Sequence, residues 1–470
     1  MNILVKKKSI YFIGIGGIGM SGIAEILHEM KFSISGSDLN ENHNTKRLRG
    51  VGIKINLGHF KENIKNKDII VYSSAIKMNN PEIVEAEKLN IPILPRAKIL
   101  AEILFLKSSI TVSGSHGKTT TTSLIACILE EAKFDPTVIN GGIINTYNTN
   151  AKLGHGNWIV AEADESDGSF KLLPSTICLI NNIDPEHLDY YKTFKNLKSA
   201  FVKYASKVPF YGFISMCIDH KSVRDLKKSF KNKKVITYGI SKSANFSLRN
   251  RKIIEQNGFF YNKFDVVING NDQIKNVLIP ILGNHNLQNT LGAISVTRSI
   301  GIKKNIIKKA LKNFKGVKRR FTLVGQVDGI KIFDDYAHHP KEIKATLSAL
   351  KEISKKKIVV VYEPHRFSRL KSLFTDFQNC FGNSTYLFIL PVFSAGEKIN
   401  KFFDSEKLVK QLRIKKKHTF YVSNNNDLFL ELSQLLKPND NLIFLGAGPI
   451  TKIANSFPTY FKNKKNEVFD

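Results

Sequence analysis

Over the first hundred positions, apolar residues fall in short β-rich runs that alternate with stretches of helical periodicity. The runs 10–15, 32–37, 69–73 and 91–94 read as strands, and 18–30 and 81–89 read as helices. Pro81 stands in the opening turn of the second helix, where its missing N–H costs nothing. This alternation is the rhythm of a parallel sheet flanked by helices.

A second series starts with a strand at 110–113, passes through a Gly-rich turn into a helix at 118–132, and continues with strands at 158–163 and 176–180. The stretch 241–275 is rich in Asn, Lys and Gly and carries Phe259, Tyr261 and Phe264. It reads as a β-ribbon or small sheet rather than a linker. From about Gly316 the pattern restarts, with strands near 331–335, 358–362, 385–390 and 441–445 between helical segments. The pattern predicts an α/β protein of three domains, 1–106, 107–315 and 316–470, without internal repeats or a low-complexity tail.

Length agrees with that division, since 470 residues exceed what one core supports and 42% apolar residues can fill several. The formal charge of +31, from 71 basic and 40 acidic residues, raises nucleic-acid binding as a hypothesis. The lysine runs 6–8, 312–318, 355–357 and 415–417 are spread between apolar segments, and no zinc-finger, KH or RNP pattern is present. They read as solvated faces, and no nucleic-acid partner is expected. Cys127, Cys178, Cys217 and Cys380 form no C-x-x-C pair, so neither a metal cluster nor a disulfide framework follows, and a reducing cytoplasm fits. The apolar run after 6–8 is broken by Gly14, Gly16 and Gly17, and no stretch reaches about twenty uninterrupted apolar residues, so membrane insertion is not expected.

Three clusters carry chemistry. Gly14-Ile15-Gly16-Gly17-Ile18-Gly19 is a G-x-G-x-x-G that follows a strand and opens a helix, with Asp38 ending the next strand. Glycines let a pyrophosphate approach the backbone at a helix N-terminus, and an acid in that place can hold a ribose hydroxyl. Taken alone, this leaves an NAD-linked oxidoreductase open. Gly114-Ser115-His116-Gly117-Lys118-Thr119, followed by Thr120, resembles a phosphate loop two residues shorter than G-x-x-x-x-G-K-[ST]. Its backbone N–H groups can form an anion nest, Lys118 can reach β- and γ-phosphates, and the Thr119 hydroxyl can ligate Mg2+. A dehydrogenase has no need of such a loop. Third, Glu162, Asp164, Glu165 and Asp167 crowd the end of a strand, as a hard cation bridging ATP phosphates requires. His187, in the segment after the next strand, is a candidate ligand for a second metal ion.

Together with Leu282-Gly283-Asn284-His285-Asn286-Leu287-Gln288-Asn289, Arg319-Arg320-Phe321, Asp334-Asp335-Tyr336-Ala337-His338-His339-Pro340, Pro364-His365-Arg366-Phe367-Ser368-Arg369 and Gly446-Ala447-Gly448, these segments resemble the Mur ligase family from about residue 10 to 455. The resemblance implies a Rossmann-like N-terminal domain that binds a UDP-sugar, a P-loop ATPase-like central domain and a Rossmann-like C-terminal domain. Within the family, the first glycine motif and the 334–340 segment resemble the member that adds L-alanine to UDP-N-acetylmuramate. The expected partners are then ATP, UDP-N-acetylmuramate and L-alanine, with Mg2+ as cofactor. By that likeness Lys118 contacts the γ-phosphate, Thr119 and Glu162 hold the first magnesium, and His187 the second. Asn286, Asn289, Arg320 and Asp335 form the adenine and ribose side. Tyr336, His338, Arg366 and Arg369 handle the amino acid, a guanidinium pair matching its carboxylate. Gly14, Gly16, Gly17 and Gly19 cradle the UDP diphosphate, Asp38 lies near the nucleoside, and Ser73 and Ser74 add hydroxyls. No carbamoylated lysine is expected.

The implied reaction phosphorylates the muramyl carboxylate and lets the alanine amine displace phosphate, with His338 as a base or an orienting group. Excluding water from the acyl phosphate would require the C-terminal domain to close. Two other readings stay open at this stage: a ligase attaching a murein tripeptide to the same UDP-sugar, and a non-catalytic nucleotide-regulated binding protein. Oligomeric state is not legible.

Overall fold

A computed structural model describes residues 9–256, 259–400 and 402–469, and the lysine run 6–8 lies outside them. The chain divides into two compact units, one made of the first 254 residues with 261–280 and 287–317, the other of 318–470 with 255–260 and 281–286.

The first unit holds two sheets. One is wholly parallel and contains β1 (Ser9–Ile13), β2 (Ser33–Asp38), β3 (Lys54–Leu57), β4 (Ile69–Tyr72) and β5 (Ile93–Pro95), in the order β3-β2-β1-β4-β5. Ile10 sits opposite Ile34 on one side and Ile69 on the other, and Ile10, Tyr11, Phe12 and Ile13 of the central strand are all fully buried, as a strand covered on both faces requires. The helices start where side chains can supply partners for their first N–H groups. Asn42 and Thr45 form a reciprocal capping box before helix His43–Gly50, and Asn80 accepts the Glu82 N–H before helix Pro81–Lys88.

The second sheet has ten strands in the order β15-β14-β13-β12-β11-β10-β6-β9-β7-β8. They are β6 (Ser108–Ser113), β7 (Thr137–Ile144), β8 (Thr149–Lys152), β9 (Trp158–Glu162), β10 (Ile177–Ile180), β11 (Phe213–Cys217), β12 (Val235–Gly239), β13 (Phe246–Gln256), β14 (Phe259–Ile268) and β15 (Asp272–Ile279). Strand β6 runs parallel between β9 and β10, which places the turn after Ser113 at the C-terminal edge of the sheet. Helix Ile18–Glu29 of the first sheet packs on the antiparallel pair β7–β8, and Met20, Ile23, Ile139 and Ala151 join one apolar cluster. The stretch 241–275, expected as a β-ribbon or small sheet, forms strands β13 and β14 and the start of β15, and these join the central sheet through the pairing of β12 with β13.

The second unit carries β16 (Thr322–Val327), β17 (Ile330–Asp335), β18 (Ile358–Tyr362), β19 (Tyr386–Ile389), β20 (Thr419–Tyr421) and β21 (Asn441–Leu445), ordered β16-β17-β21-β18-β19-β20. Only β16 pairs antiparallel. Apolar clusters line both faces, with Ile343, Leu347 and Leu370 on one and Leu428, Phe444 and Phe457 on the other. Lys312, Lys318, Lys355, Lys356, Lys415 and Lys417 are exposed, as solvated faces require. No helix among the described residues is long and apolar enough to cross a membrane.

Candidate active site

The glycine turn after β1 folds back on the end of β2. The N–H groups of Gly14 and Ile15 donate to Ser37 O at 2.8 and 3.0 Å, and the Gly16 N–H donates to Asp38 Oδ2 at 2.8 Å. Gly14 has φ +78°, and a Cβ on Gly16 would lie 2.5 Å from Asn42 Nδ2, so both positions are closed to other residues. The expectation placed Asp38 at the nucleoside, and its carboxylate here holds the turn itself. Ser73 packs with its Cβ 3.3 Å from where a Gly14 side chain would begin and accepts the Ala75 N–H, while Ser74 is exposed.

The turn after β6 is built on two asparagines from the end of β10. Asn182 accepts the N–H of His116 through Oδ1 at 2.7 Å and that of Ser115 through its carbonyl at 3.2 Å. Asn181 and Asn182 each donate a side-chain N–H to His116 O. Gly114 and Gly117 take φ values of +132° and +80°, conformations that favour glycine. At Gly117 a Cβ would also fall 2.3 Å from Asn289 Oδ1, which brings Asn289 against the loop. Asn286 lies one turn earlier on helix Asn284–Ser299, its amide donating to Leu282 O at 2.9 Å. Thr120 is buried in the first turn of helix Lys118–Glu131.

Lys118 Nζ donates to Gly114 O at 2.7 Å and to Glu165 Oε2 at 2.9 Å. Burial alone would lower its pKa, yet Glu165, Asp164 and Glu162 together hold it above the ordinary lysine value. Thr119 hydrogen-bonds Glu162, whose Oε1 also accepts the Gly141 N–H at 2.8 Å from the β7 strand. Burial raises the Glu162 pKa against these bonds. His187, at φ +56°, has its pKa lowered by burial, with Glu186 opposing. One ligand atom each from Glu165, Glu186 and His187 lies within 4.8 Å of the others. Glu165 Oε1 is buried without a hydrogen-bond partner among the described residues. An orphaned carboxylate oxygen among further carboxylates and a hydroxyl is the donor chemistry of a hard divalent cation, so these residues fit Mg2+.

In the second unit, the ring of Tyr336 lies under both arginines of the 319–320 pair, with the Arg319 and Arg320 guanidinium carbons 4.9 and 5.2 Å from its centroid. His338 stands 5.3 Å from that ring and 5.8 Å from His365, which in turn meets Arg369 Nη1 at 3.0 Å through Nδ1. The His338 Nδ1 contact to Tyr336 O at 2.9 Å must be an N–H donation, because a carbonyl only accepts, so Nε2 carries the lone pair. Burial pushes the His338 pKa down to about 3 and that of His365 to about 4. Asp335 faces inward. It accepts the N–H groups of Phe321 at 2.6 Å and Ala337 at 2.8 Å, and burial raises it to about 6. Arg366 is exposed and takes φ +70°, its N–H donating to Phe393 O.

Sequence reading gave no role to Asn181, Asn182, Gly141 or His365, and it did not separate Glu165 from its acidic neighbours. Their partners lie 21 to 66 residues away, except for His365 and Arg369. The Asn181-Asn182 pair directly after an apolar strand was the one local signal.

A glycine turn on one parallel sheet, a loop of phosphate-loop form beside a carboxylate cluster on the next and a third α/β sheet are the parts of a nucleotide-dependent enzyme. Three family models match in succession: the Mur ligase family catalytic domain over residues 9–107, the Mur ligase middle domain over 112–297 and the Mur ligase glutamate ligase domain over 319–448. The chain belongs to the Mur ligase family. It is 48% identical over 463 residues to the UDP-N-acetylmuramate–L-alanine ligase of Rickettsia bellii, covering 97% of each chain. The crystal structure of the UDP-N-acetylmuramate-alanine ligase MurC from Thermotoga maritima is similar at 27% identity and a TM-score of 0.82, covering 97% of this chain and all of that one. A murein peptide ligase from Psychrobacter arcticus shares the fold at 22% identity and a TM-score of 0.69, covering 97% and 99%.

Proposed function

We propose that this chain joins L-alanine to the lactyl carboxylate of UDP-N-acetylmuramate at the expense of ATP, through an acyl phosphate, in the cytoplasmic steps of peptidoglycan synthesis. Support comes from its 48% identity to an alanine-adding ligase over nearly the whole chain. The observation that carries the chemistry is Lys118, held by Gly114 O and Glu165 at the head of the phosphate loop and one residue before Thr119. In this reading residues 1–106 bring the UDP-sugar, 107–315 bring ATP and 316–470 bring the amino acid.

The muramyl carboxylate is a poor electrophile at neutral pH. Its oxygen attacks the γ-phosphorus in line, the bond to the β-phosphate oxygen breaks, and ADP leaves. The loop N–H groups and Lys118 stabilise charge on the transferring group. Thr119, Glu162, Glu165 and His187 would hold Mg2+, which when bound neutralises the phosphate charge. The amine lone pair then attacks the acyl carbon, and the tetrahedral intermediate expels phosphate. Arg366 and Arg369 receive the amino-acid carboxylate, the neutral Nε2 of His338 accepts a hydrogen bond from the amine and orients its lone pair, and the expelled phosphate carries off the amine proton.

Phosphate release with UDP-N-acetylmuramate and Mg-ATP, adding alanine, serine, glycine or murein tripeptide in turn, tests this. Strong dependence on L-alanine is expected, and turnover with tripeptide alone would overturn it.

A further inference from the structure

The third glycine of the 14–19 motif has a neighbour that the motif does not explain. A Cβ on Gly19 would lie 2.3 Å from Arg96 Nη1 and 3.3 Å from Arg96 Cζ, so the Nη1 end of the guanidinium lies against the bare backbone in the first turn of helix Ile18–Glu29. Arg96 comes from the start of helix Arg96–Leu104, directly after β5. Its only ion pair is a long one, 3.8 Å to Asp164 Oδ2, and no acceptor lies within hydrogen-bond distance of its five N–H donors among the described residues. Its side chain is 22% exposed. An enclosed guanidinium without a bidentate partner is unusual, because Arg is desolvated at a cost that fork-like acceptors ordinarily offset. Asp164 belongs to the acidic segment after β9 and has its own bonds, accepting the Ser166 N–H at 3.1 Å. Burial would raise the Asp164 pKa, but Lys118 and Arg96 hold it below the usual carboxylate range.

We propose that Arg96 is a substrate-binding residue that grips the diphosphate of the nucleotide sugar from the side opposite the glycine N–H groups, with Asp164 holding the guanidinium over Gly19 until that anion arrives. The planar fork matches two phosphate oxygens, and the helix start beneath it already favours negative charge. Gly19 then has a reason beyond backbone freedom: it leaves the guanidinium a place to lie. As Arg96 turns to the diphosphate, Asp164 loses one of its two cations and its carboxylate becomes available to the Lys118 side of the acidic segment. The binding of one substrate is thereby felt in the carboxylates near the phosphate loop.

This rests on the assignment of the 14–19 turn to the nucleotide sugar, and titration calorimetry separates the two claims. Wild type should bind UDP well and UMP at least about tenfold more weakly. If wild type binds neither, the assignment of the turn fails. If it binds both, R96Q should lose about tenfold or more in UDP affinity while UMP affinity holds, and R96K should recover part of the loss. G19A, whose methyl displaces the guanidinium, should reproduce R96Q, and the double variant should lose no more than either single. In steady state the KM for the nucleotide sugar should rise while that for ATP stays. Unchanged UDP affinity in R96Q, or equal losses for UDP and UMP, would overturn the proposal.

Discussion

Lys118 Nζ and Glu165 Oε2 stand 2.9 Å apart with side-chain exposures of 15% and 1%, so the loop lysine is fixed before any nucleotide arrives. Its second bond, to Gly114 O, closes the loop on itself. The pair therefore stabilises the loop only while both members are present.

Removing one partner leaves an uncompensated buried charge, a loss of about 3–5 kcal/mol. K118M should lower the melting temperature and abolish phosphate release while UDP binding survives. The double variant K118M/E165Q should melt above K118M, though it stays inactive. Calorimetric melting of wild type, K118M and the double variant measures this, and a double variant no more stable than K118M would contradict the pairing.

G117A meets two penalties at once, a positive φ and the Asn289 amide 2.3 Å from the new methyl. Left-handed backbone costs a non-glycine residue about 1–2 kcal/mol. Nucleotide affinity should fall about tenfold or more, while the far ends of the sheet keep their protection from hydrogen exchange. Unaltered ADP affinity would show that the turn relaxes without cost.

His338 is driven to a pKa near 3 and His365 to about 4, against an ordinary 6.5. For groups depressed on folding, the stabilisation is fully present above pH 6.5 and is lost as pH falls toward 4 and 3, because the unfolded chain takes up protons first. H338Q should show a flatter loss of melting temperature between pH 7 and 4.5 than wild type. The His338 imidazole should stay neutral at pH 5 by NMR, and a titration midpoint near 6.5 would refute the burial argument.

R366A and R369A should raise the KM for L-alanine about 10–100-fold, since a charged pair to a carboxylate carries roughly 1.5–3 kcal/mol. The KM for ATP should hold for R366A. Arg369 also bonds His365, so R369A should in addition lower kcat, and the split between the two variants separates binding from orientation.

Much of this was legible in the sequence where the physics is local. Strands 358–362 and 441–445 were read at their observed bounds, because an apolar run of that length with polar or turn-forming flanks has few other uses. The pair β7–β8 was missed: its sequence from Thr137 to Lys152 is crowded with Asn, Gly and Thr and shows no clean alternation. It pairs because β9 supplies a partner edge. Asp335 was legible as a strand end, but its bonds were not: the carboxylate accepts the N–H groups of Phe321 and Ala337, fourteen residues before it and two after.

Strand β8 presents Asn150, fully buried, whose amide reaches Ile18 O at 2.5 Å and whose oxygen accepts from Arg47 at 2.8 Å. Its companion β7 presents the Gly141 N–H to Glu162. One short ribbon thus leans on the glycine-turn helix with one strand and on the Glu162 carboxylate with the other. It ties the two together, so that a substitution in either strand is expected to disturb both the helix that follows the glycine turn and the carboxylate beside Thr119.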